Sequence, residues 1–487
     1  MKNFLLMTVV GVGLLLASCS KSNDDSVIVN PPAAESTVTV SADVTANTTW
    51  TADKIYLLKG NIFVTNNATL TIEPGTIIKG DKASKGALII TRGAKIMAVG
   101  TVDKPIVFTS NVASGGRAQG DWGGVILLGK APNNQGPSIS IEGISDATDK
   151  GKYGGTDAAD NSGTMKYVRI EYAGIALSPD NEINGLTFGS VGSGTTIDYV
   201  EVYRSGDDAF EWFGGTVNCK HLLAIDSWDD DFDTDYGFSG NVQFGLAQRL
   251  AATADVSGSN GFESDNNSAG DNKAPQTAAV FSNMTILGPR EAASGNPSIN
   301  ANFQHAAQIR RNSSISILNS VFSGYVQGIF FDDQAPGAGD ANSSSVNLTS
   351  GKAVFANNII IGTGSNVIKA TTTAILDVIT PFINSVANNN TINNSLYAGA
   401  IYTDPYKFSA DIASNTASLN RQGIPNFTQV SGSTALTGAV WTSAKLNDAF
   451  FDKTGTFRGA FGATDWSAGW ASYNPQALPY TTPGAVK

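Results

Sequence analysis

The sequence predicts an all-β chain wound as a right-handed parallel β-helix, with long loop excursions and a C-terminal cap. Three observations carry the prediction. The first is a doubled phrase: SGDDAFEWFG at 205–214 and SWDDDFDTDYG at 227–237 align at a fixed offset of 22 residues, so Asp207 and Asp208 return as Asp229 and Asp230, Phe210 as Phe232, and Glu211 as Asp233. The second is a set of short strand-like runs, each followed within a few residues by Gly, Ser or Asp. The third is texture: 52 Gly, only 15% charged residues, and Val/Ile/Thr/Phe runs broken by Gly, Asn and Asp, which is the pattern of strands and turns.

Taken along the chain, residues 1–18 read as a signal peptide and stay outside the fold. Lys2 supplies the positive end, an apolar stretch runs from Phe4 to Ala17, and Leu16-Ala17-Ser18-Cys19 resembles a bacterial lipobox with Cys19 as the lipid attachment site. The apolar stretch is too short to span a bilayer comfortably. Residues 19–40 read as a flexible tether. Asp24 and Asp25 within it resemble the acidic export signals of Bacteroidetes surface lipoproteins. These features point to an outer-membrane or cell-surface location through a lipid anchor. With Cys19 acylated, Cys219 has no disulfide partner and reads as a small buried residue.

The coil proper is expected over 41–440. Its first third holds Ala68–Ile78, Gly86–Ile96 and Pro105–Thr109; Met165–Tyr172, Ile197–Tyr203, Cys219–Ile225, Phe281–Leu287, Ile315–Val321 and Phe355–Ile361 follow. None of these strands buries a face alone, but stacking them in register buries one continuous core. A β-sandwich is the alternative; it predicts turns every 8–12 residues without the long-range echo. Residues 133–163, 334–350 and 386–396 read as excursions from the coil. Residues 441–487, whose stretch Phe457 to Ala471 holds two Trp and a Phe pair among Gly, read as a cap continuous with the coil.

LTIEPGTIIKG (70–80), GALIITRGAKI (86–96), GDWGGVILLGKA (120–131), EWFGGTVN (211–218), DDDFDTDYGFSGNVQFG (229–245), SGSNGFESDN (257–266) and FRGAFGATDW (457–466) resemble the β-helical surface lipoproteins common in Bacteroidetes. The resemblance covers most of the mature chain. It implies the fold and an envelope setting, and it implies no activity.

Net charge is −11, which argues against nucleic acid as a partner. The acidity is local: Asp198 to Asn272 holds 15 acids and three bases. In a β-helix, coils stack about 4.8 Å apart, so the 22-residue offset lays Asp229 over Asp207, Asp230 over Asp208 and Asp233 over Glu211. Ser257–Asp265 adds a looser third copy, with Glu263 in the place of Glu211. Like charges about 5 Å apart repel by roughly 0.8 kcal/mol in water and about 3 kcal/mol at an effective dielectric of 20. Something must answer such a column.

Three answers are open. One is Ca²⁺, held by oxygens of Asp207, Asp208, Glu211, Asp229, Asp230, Asp231, Asp233, Asp235, Glu263 and Asp265; Asp231, Asp233 and Asp235 alternate and would share one face of an extended strand. An EF-hand is excluded, because Tyr236 stands where that loop needs Gly and Val242 where it needs a bidentate Glu. Another answer is ion pairing with Arg169, Arg204, Arg249, Arg310 and Arg311. The third is simple solvation of acids on turns. Phe330–Asp333 is a further aromatic–acid run that extends the patch in prospect.

Phe210 and Phe232 match across the repeat and read as an interior stack; Trp212 and Trp228 do not match, and either is a candidate sugar-stacking ring. Trp122 reads as core. Nucleophile machinery is sparse: His221 and His305 are the two histidines, and no HExxH, P-loop or Cys/His metal cluster occurs. The reading is an acidic, calcium-linked face that binds a glycan or an envelope protein, with Trp212, Trp228, Arg169, Arg204 and Arg249 as ligand contacts. Two enzymes stay open beside it: a lyase acting on uronates, with an Arg or Lys as base, and a glycoside hydrolase using paired carboxylates. A purely structural or adhesive envelope protein is the further alternative.

Overall fold

A right-handed parallel β-helix is what the chain forms, in a computed structural model that describes residues 36–144, 148–178, 181–335, 337, 340–407 and 423–487. Cys19, the signal segment and most of the expected tether lie outside the described residues. Ser36–Lys487 makes one compact unit. Its strands build a 17-stranded sheet and a ten-stranded sheet, whose ladders are parallel throughout.

Each coil has three sides. In the first coils two separate strands supply the long sheet, as Thr69–Ile72 and Ile77–Gly80 do. Later one bent strand covers both sides. Gly163–Glu171 pairs its first half with Lys95–Val99 and its second half with Ile106–Ser110. The bend falls on one residue per coil in the left-handed region: Tyr167, Tyr199, His221, Phe244, Asn283, Asn319 and Asn357, with φ between 50° and 63°. Residues other than Gly rarely adopt that region. Stacking compensates: ring centroids are 4.5 Å apart for Tyr167–Tyr199, 4.1 Å for Tyr199–His221 and 5.2 Å for His221–Phe244.

The interior is a set of vertical columns. Phe210, Phe232 and Phe262 are in register on the ten-stranded sheet and fully buried, with centroids 5.8 Å and 5.3 Å apart. Trp122 is buried in the same core and donates its indole N–H to the Glu171 carbonyl at 2.8 Å. Cys219 is buried too, a small core residue as expected.

Where the sequence suggested a cover over the end, residues 441–487 run down the flank of the long sheet. Leu446 and Phe451 pack with Val280, Leu318 and Ala356; Trp470 with Tyr172 and Tyr203; Tyr480 and Val486 with Ile55, Ile77 and Val107. The apolar outer face of a sheet needs such a cover as much as an end does. The last coils are closed instead by a helix inside the expected coil body. That helix, α2 (Thr373–Ile383), follows a one-turn helix α1 (Ser344–Thr349). The Thr372 hydroxyl caps α2, and Ile379 and Ile383 enter the core cluster of Ile360 and Ile368. Thr391–Asn393, read as part of an excursion, pairs with Ile359–Ile361 and belongs to the long sheet.

Candidate functional site

The outer face of the ten-stranded sheet carries the doubled phrase. Its register runs Thr187, Glu211, Asp233, Glu263, Gln308, Phe330, Lys369, one residue per coil. Phe232 and Thr234 point inward while Asp233 and Asp235 point outward, as alternation requires. One turn earlier in each coil stand Asp207 and Asp208, then Asp229 and Asp230, then Asn260. The expected columns therefore exist.

The acids form two triads, each tight enough for an ion to bridge its members. Ligand oxygens of Asp207, Asp208 and Asp229 lie within 4.8 Å of one another, and so do those of Asp208, Glu211 and Asp233. Ca²⁺ binds oxygens at about 2.3–2.6 Å, so a spread of that size suits a shared ion, and Asp208 belongs to both groups. The donor set is all carboxylate, which suits a hard cation. Asp233 Oδ1 is buried with no hydrogen-bond partner. That orphaned oxygen is what a cation would satisfy, so the residues fit calcium.

Electrostatics agree. Burial, then the Asp229 charge, pushes the Asp207 carboxyl well above its ordinary range. Burial and neighbouring carboxylates do the same to Asp208, Glu211, Asp230, Asp233 and Asp235. Asp229 is pushed up to about 6, mainly by burial. Ionising these carboxyls together is therefore disfavoured unless a cation answers them.

Other predicted ligands are committed elsewhere. Asp231 does not share the outer face with Asp233 and Asp235. It is buried, 2.9 Å from Arg249 Nε, and accepts the Tyr325 hydroxyl at 3.0 Å. Glu263 and Asp265 keep their place in the column but pair with Arg310, and Asp265 also with Arg311 at 2.5 Å. Ion pairing thus answers the upper part of the acid column, and the lower part keeps no basic partner among the described ion pairs.

The three arginines expected to meet a ligand are used internally. Arg169 is buried under the flank segment, 3.4 Å from Glu171 and bonded to the Tyr480 hydroxyl at 3.0 Å. Arg204 lies 3.4 Å from Asp226. Arg249 is fully buried and also donates to the carbonyls of Ser227 and Asp229. Trp212 is 0% exposed, between Phe188 and Phe238 at 5.3 Å each, so it cannot stack on a sugar. Trp228 is 43% exposed beside Asp229 and keeps that possibility. His221 is structural, stacked on Tyr199 with Nδ1 2.8 Å from Asp198.

Sequence reasoning missed Glu142, Glu182 and Asn184. The two glutamates add their charge around Asp207, and the Asn184 amide donates to Glu211. Asn184 was legible as the residue one coil before Asp208. The glutamates sit on excursions whose course no repeat reveals.

A family model described as a pectate-lyase-like β-helix domain matches residues 42–471. No curated protein matches the chain. Among solved structures it is similar to the crystal structure of the Dettilon tailspike protein (gp208), at 10% identity and a TM-score of 0.21, over 67% of this chain and 62% of that one. The chain thus spans less than two thirds of that tailspike's length.

Proposed function

The chain belongs to the pectate-lyase-like β-helix domain family, and from that premise we propose that it is a carbohydrate-binding protein of the cell envelope whose acidic face works with Ca²⁺. The observation that carries the reading is the pair of carboxylate groups that share Asp208. Asp207, Asp208 and Asp229 form one site for the ion and Asp208, Glu211 and Asp233 an adjoining one, flanked by Asp230 and Asp235. A bound calcium offsets part of the column's negative charge and offers a ligand site to sugar hydroxyls and carboxylates. Trp228, exposed next to Asp229, supplies an apolar ring to the same ligand. Residues 1–18 are the signal peptide, and lipid on Cys19 anchors the coil to a membrane through the tether that follows, at the outer membrane or cell surface.

A screen of the full chain on immobilised glycans, with calcium and with EDTA, tests this. Calcium-dependent retention supports it. Retention unaffected by EDTA, together with an unshifted melting temperature, refutes the calcium half.

A second reading is turnover. Glu211, which has no basic partner among the described ion pairs, is pushed well above the ordinary carboxyl range, chiefly by burial, the state a general acid needs. A hydrolase then releases reducing ends, and a lyase releases unsaturated ends. The lyase version loses its expected base, because Arg169, Arg204 and Arg249 are all committed.

A further inference from the structure

The outer face of the long sheet buries three charged residues that the proposed function does not use. Gly163–Glu171 supplies Arg169 and Glu171, and Thr196–Tyr203, one coil on, supplies Glu201. Arg169 and Glu201 are partners in the ladder. Their column carries Ile77 and Val107 on the coils before and Leu223 on the coil after, so the charges interrupt an apolar stripe. Each of the three is at most 1% exposed. The flank segment covers them.

That segment also brings polar partners. Arg169 donates to the Trp470 carbonyl at 3.4 Å, the Tyr480 hydroxyl at 3.0 Å and the Val486 carbonyl at 2.5 Å. The Tyr480 hydroxyl donates to Glu171 Oε1 at 2.8 Å, and the Ser472 N–H donates to Glu201 Oε2 at 2.9 Å. Glu201 Oε1 is buried with no hydrogen-bond partner. One guanidinium thus serves two carboxyls, and it lies 3.4 Å from Glu171. Ionising both glutamates leaves one buried charge unmatched, which is costly; a proton on Glu201 removes that charge. Burial pushes the Glu201 carboxyl up to about 8; the Arg169 charge and the Ser472 N–H oppose the rise, and the Glu171 charge adds to it. The other titratable groups around the pair are Tyr473, Tyr480 and Asp465 on the flank segment, and Arg117, whose charge acts on Glu171. Both tyrosines are held well above their ordinary value, chiefly by burial, so neither titrates near neutral pH.

We propose that residues 470–487 form a proton-linked latch on the long sheet: docking traps one proton in the cluster of Arg169, Glu171 and Glu201, and rising pH frees the segment. With the segment lifted, Glu201 meets water and returns to an ordinary carboxyl. The open state therefore binds one proton fewer than the docked state. The docked state keeps its full advantage below the ordinary carboxyl range and loses it as pH climbs through about 8. Release uncovers an apolar strip that includes Ile77, Val107, Tyr172 and Tyr203. The acidic face lies on the ten-stranded sheet, so the latch and the calcium reading stand or fall separately.

The test is hydrogen exchange of the full chain at about pH 6 and about pH 8.5, each rate corrected for the intrinsic pH dependence of amide exchange. In wild type, protection over 470–487 is expected to fall roughly tenfold or more across that interval, and to fall further than protection of the ten-stranded sheet. Glu201→Gln keeps an acceptor for the Ser472 N–H and cannot ionise, so its flank segment is expected to hold the same protection at both pH values. An equal fall over the flank segment and the ten-stranded sheet, or no fall at all, overturns the latch, and the wild-type data decide this even if the variant fails to fold. A fall in Glu201→Gln as large as that in wild type overturns it too, because the proton then leaves from another group.

Discussion

Asp208 Oδ1 accepts the backbone N–H of Asp230, one coil further on, at 2.7 Å. Asp230 Oδ1 accepts the N–H of Asn260 at 2.5 Å, and Asn260 Oδ1 accepts that of His305 at 3.0 Å. One side chain per coil thus reaches up to the next coil's backbone. Asp208 gives one oxygen to the chain and keeps the other for a ligand, while the second oxygen of Asp230 accepts from the Asn260 amide at 3.5 Å. The acid column is pre-positioned by the fold, which is what a metal or glycan site needs and a solvated turn does not.

Calcium is expected to raise the melting temperature, because an ion that binds only the folded chain stabilises it by about 2.7 kcal/mol at a hundred times its Kd. Asp208→Asn with Asp233→Asn keeps the staircase acceptor and removes two ligand charges. The double variant should melt above wild type in EDTA, since it relieves like-charge crowding, and should show no calcium shift. Scanning calorimetry of both proteins with and without calcium decides it. A wild type that melts identically in both buffers sinks the metal assignment.

Most of the architecture was legible because a β-helix turns sequence period into vertical contact. The match of Phe210 with Phe232, and of Glu211 with Asp233, became stacked neighbours. Asp231 was misread because period alone assigned it to the outer face, while its pairing with Arg249 depends on a partner 18 residues on that no repeat marks. Trp212 was misread for a related reason. It faces Thr234 in the ladder, so the repeat gave no hint that its ring fills the core between Phe188 and Phe238. The continuation of the column to Lys369 was invisible in sequence because Lys369 joins it only through the register of the last strand.

Stability of the calcium-free protein should fall as pH rises from about 4 to 8. Asp229 and Asp231 are pushed up to about 6, and Glu201 to about 8, each first by burial. The folded chain therefore holds more protons than the unfolded chain in that window. Stability declines with pH wherever that is so. The advantage is complete below the unfolded values and lost as pH passes the folded ones. Calcium favours the ionised patch and flattens the slope. Melting curves at pH 5 and 8, in EDTA and in calcium, give the comparison; a chelated protein that gains stability towards pH 8 contradicts the assignment.

Arg249→Met should cost about 3–5 kcal/mol, because it leaves Asp231 buried without its counter-charge. Adding Asp231→Leu to that variant removes the orphan and should recover part of the loss. Urea unfolding of the two proteins reads the difference. If the double variant is no more stable than the single one, the carbonyls that Arg249 also binds carry its contribution.

Trp228 and Trp212 should separate binding from folding. Trp228→Ala removes an exposed ring and is expected to change stability by less than about 0.5 kcal/mol while weakening glycan retention. Trp212→Ala opens the aromatic column and should cost about 3–5 kcal/mol. Equal retention by wild type and Trp228→Ala, with stability intact, would remove Trp228 from the ligand face.

The flank segment should behave as a clamp over buried charge. The Tyr480 hydroxyl donates to Glu171 at 2.8 Å and accepts from Arg169 at 3.0 Å. The Ser472 N–H donates to Glu201 at 2.9 Å. Tyr480→Phe keeps the ring against Ile77 and Val107 and deletes only the hydroxyl. Two buried charged groups then lose a partner, so the expected cost is about 1–3 kcal/mol. Tyr480→Ala adds a cavity and should cost more. Hydrogen exchange is the discriminating measurement: in Tyr480→Phe, faster exchange should be confined to 470–487 and the long-sheet strands beneath it, with the ten-stranded sheet unchanged. Uniform acceleration over both sheets would mean that the segment is part of the coil's own cooperative core and does not act as a clamp.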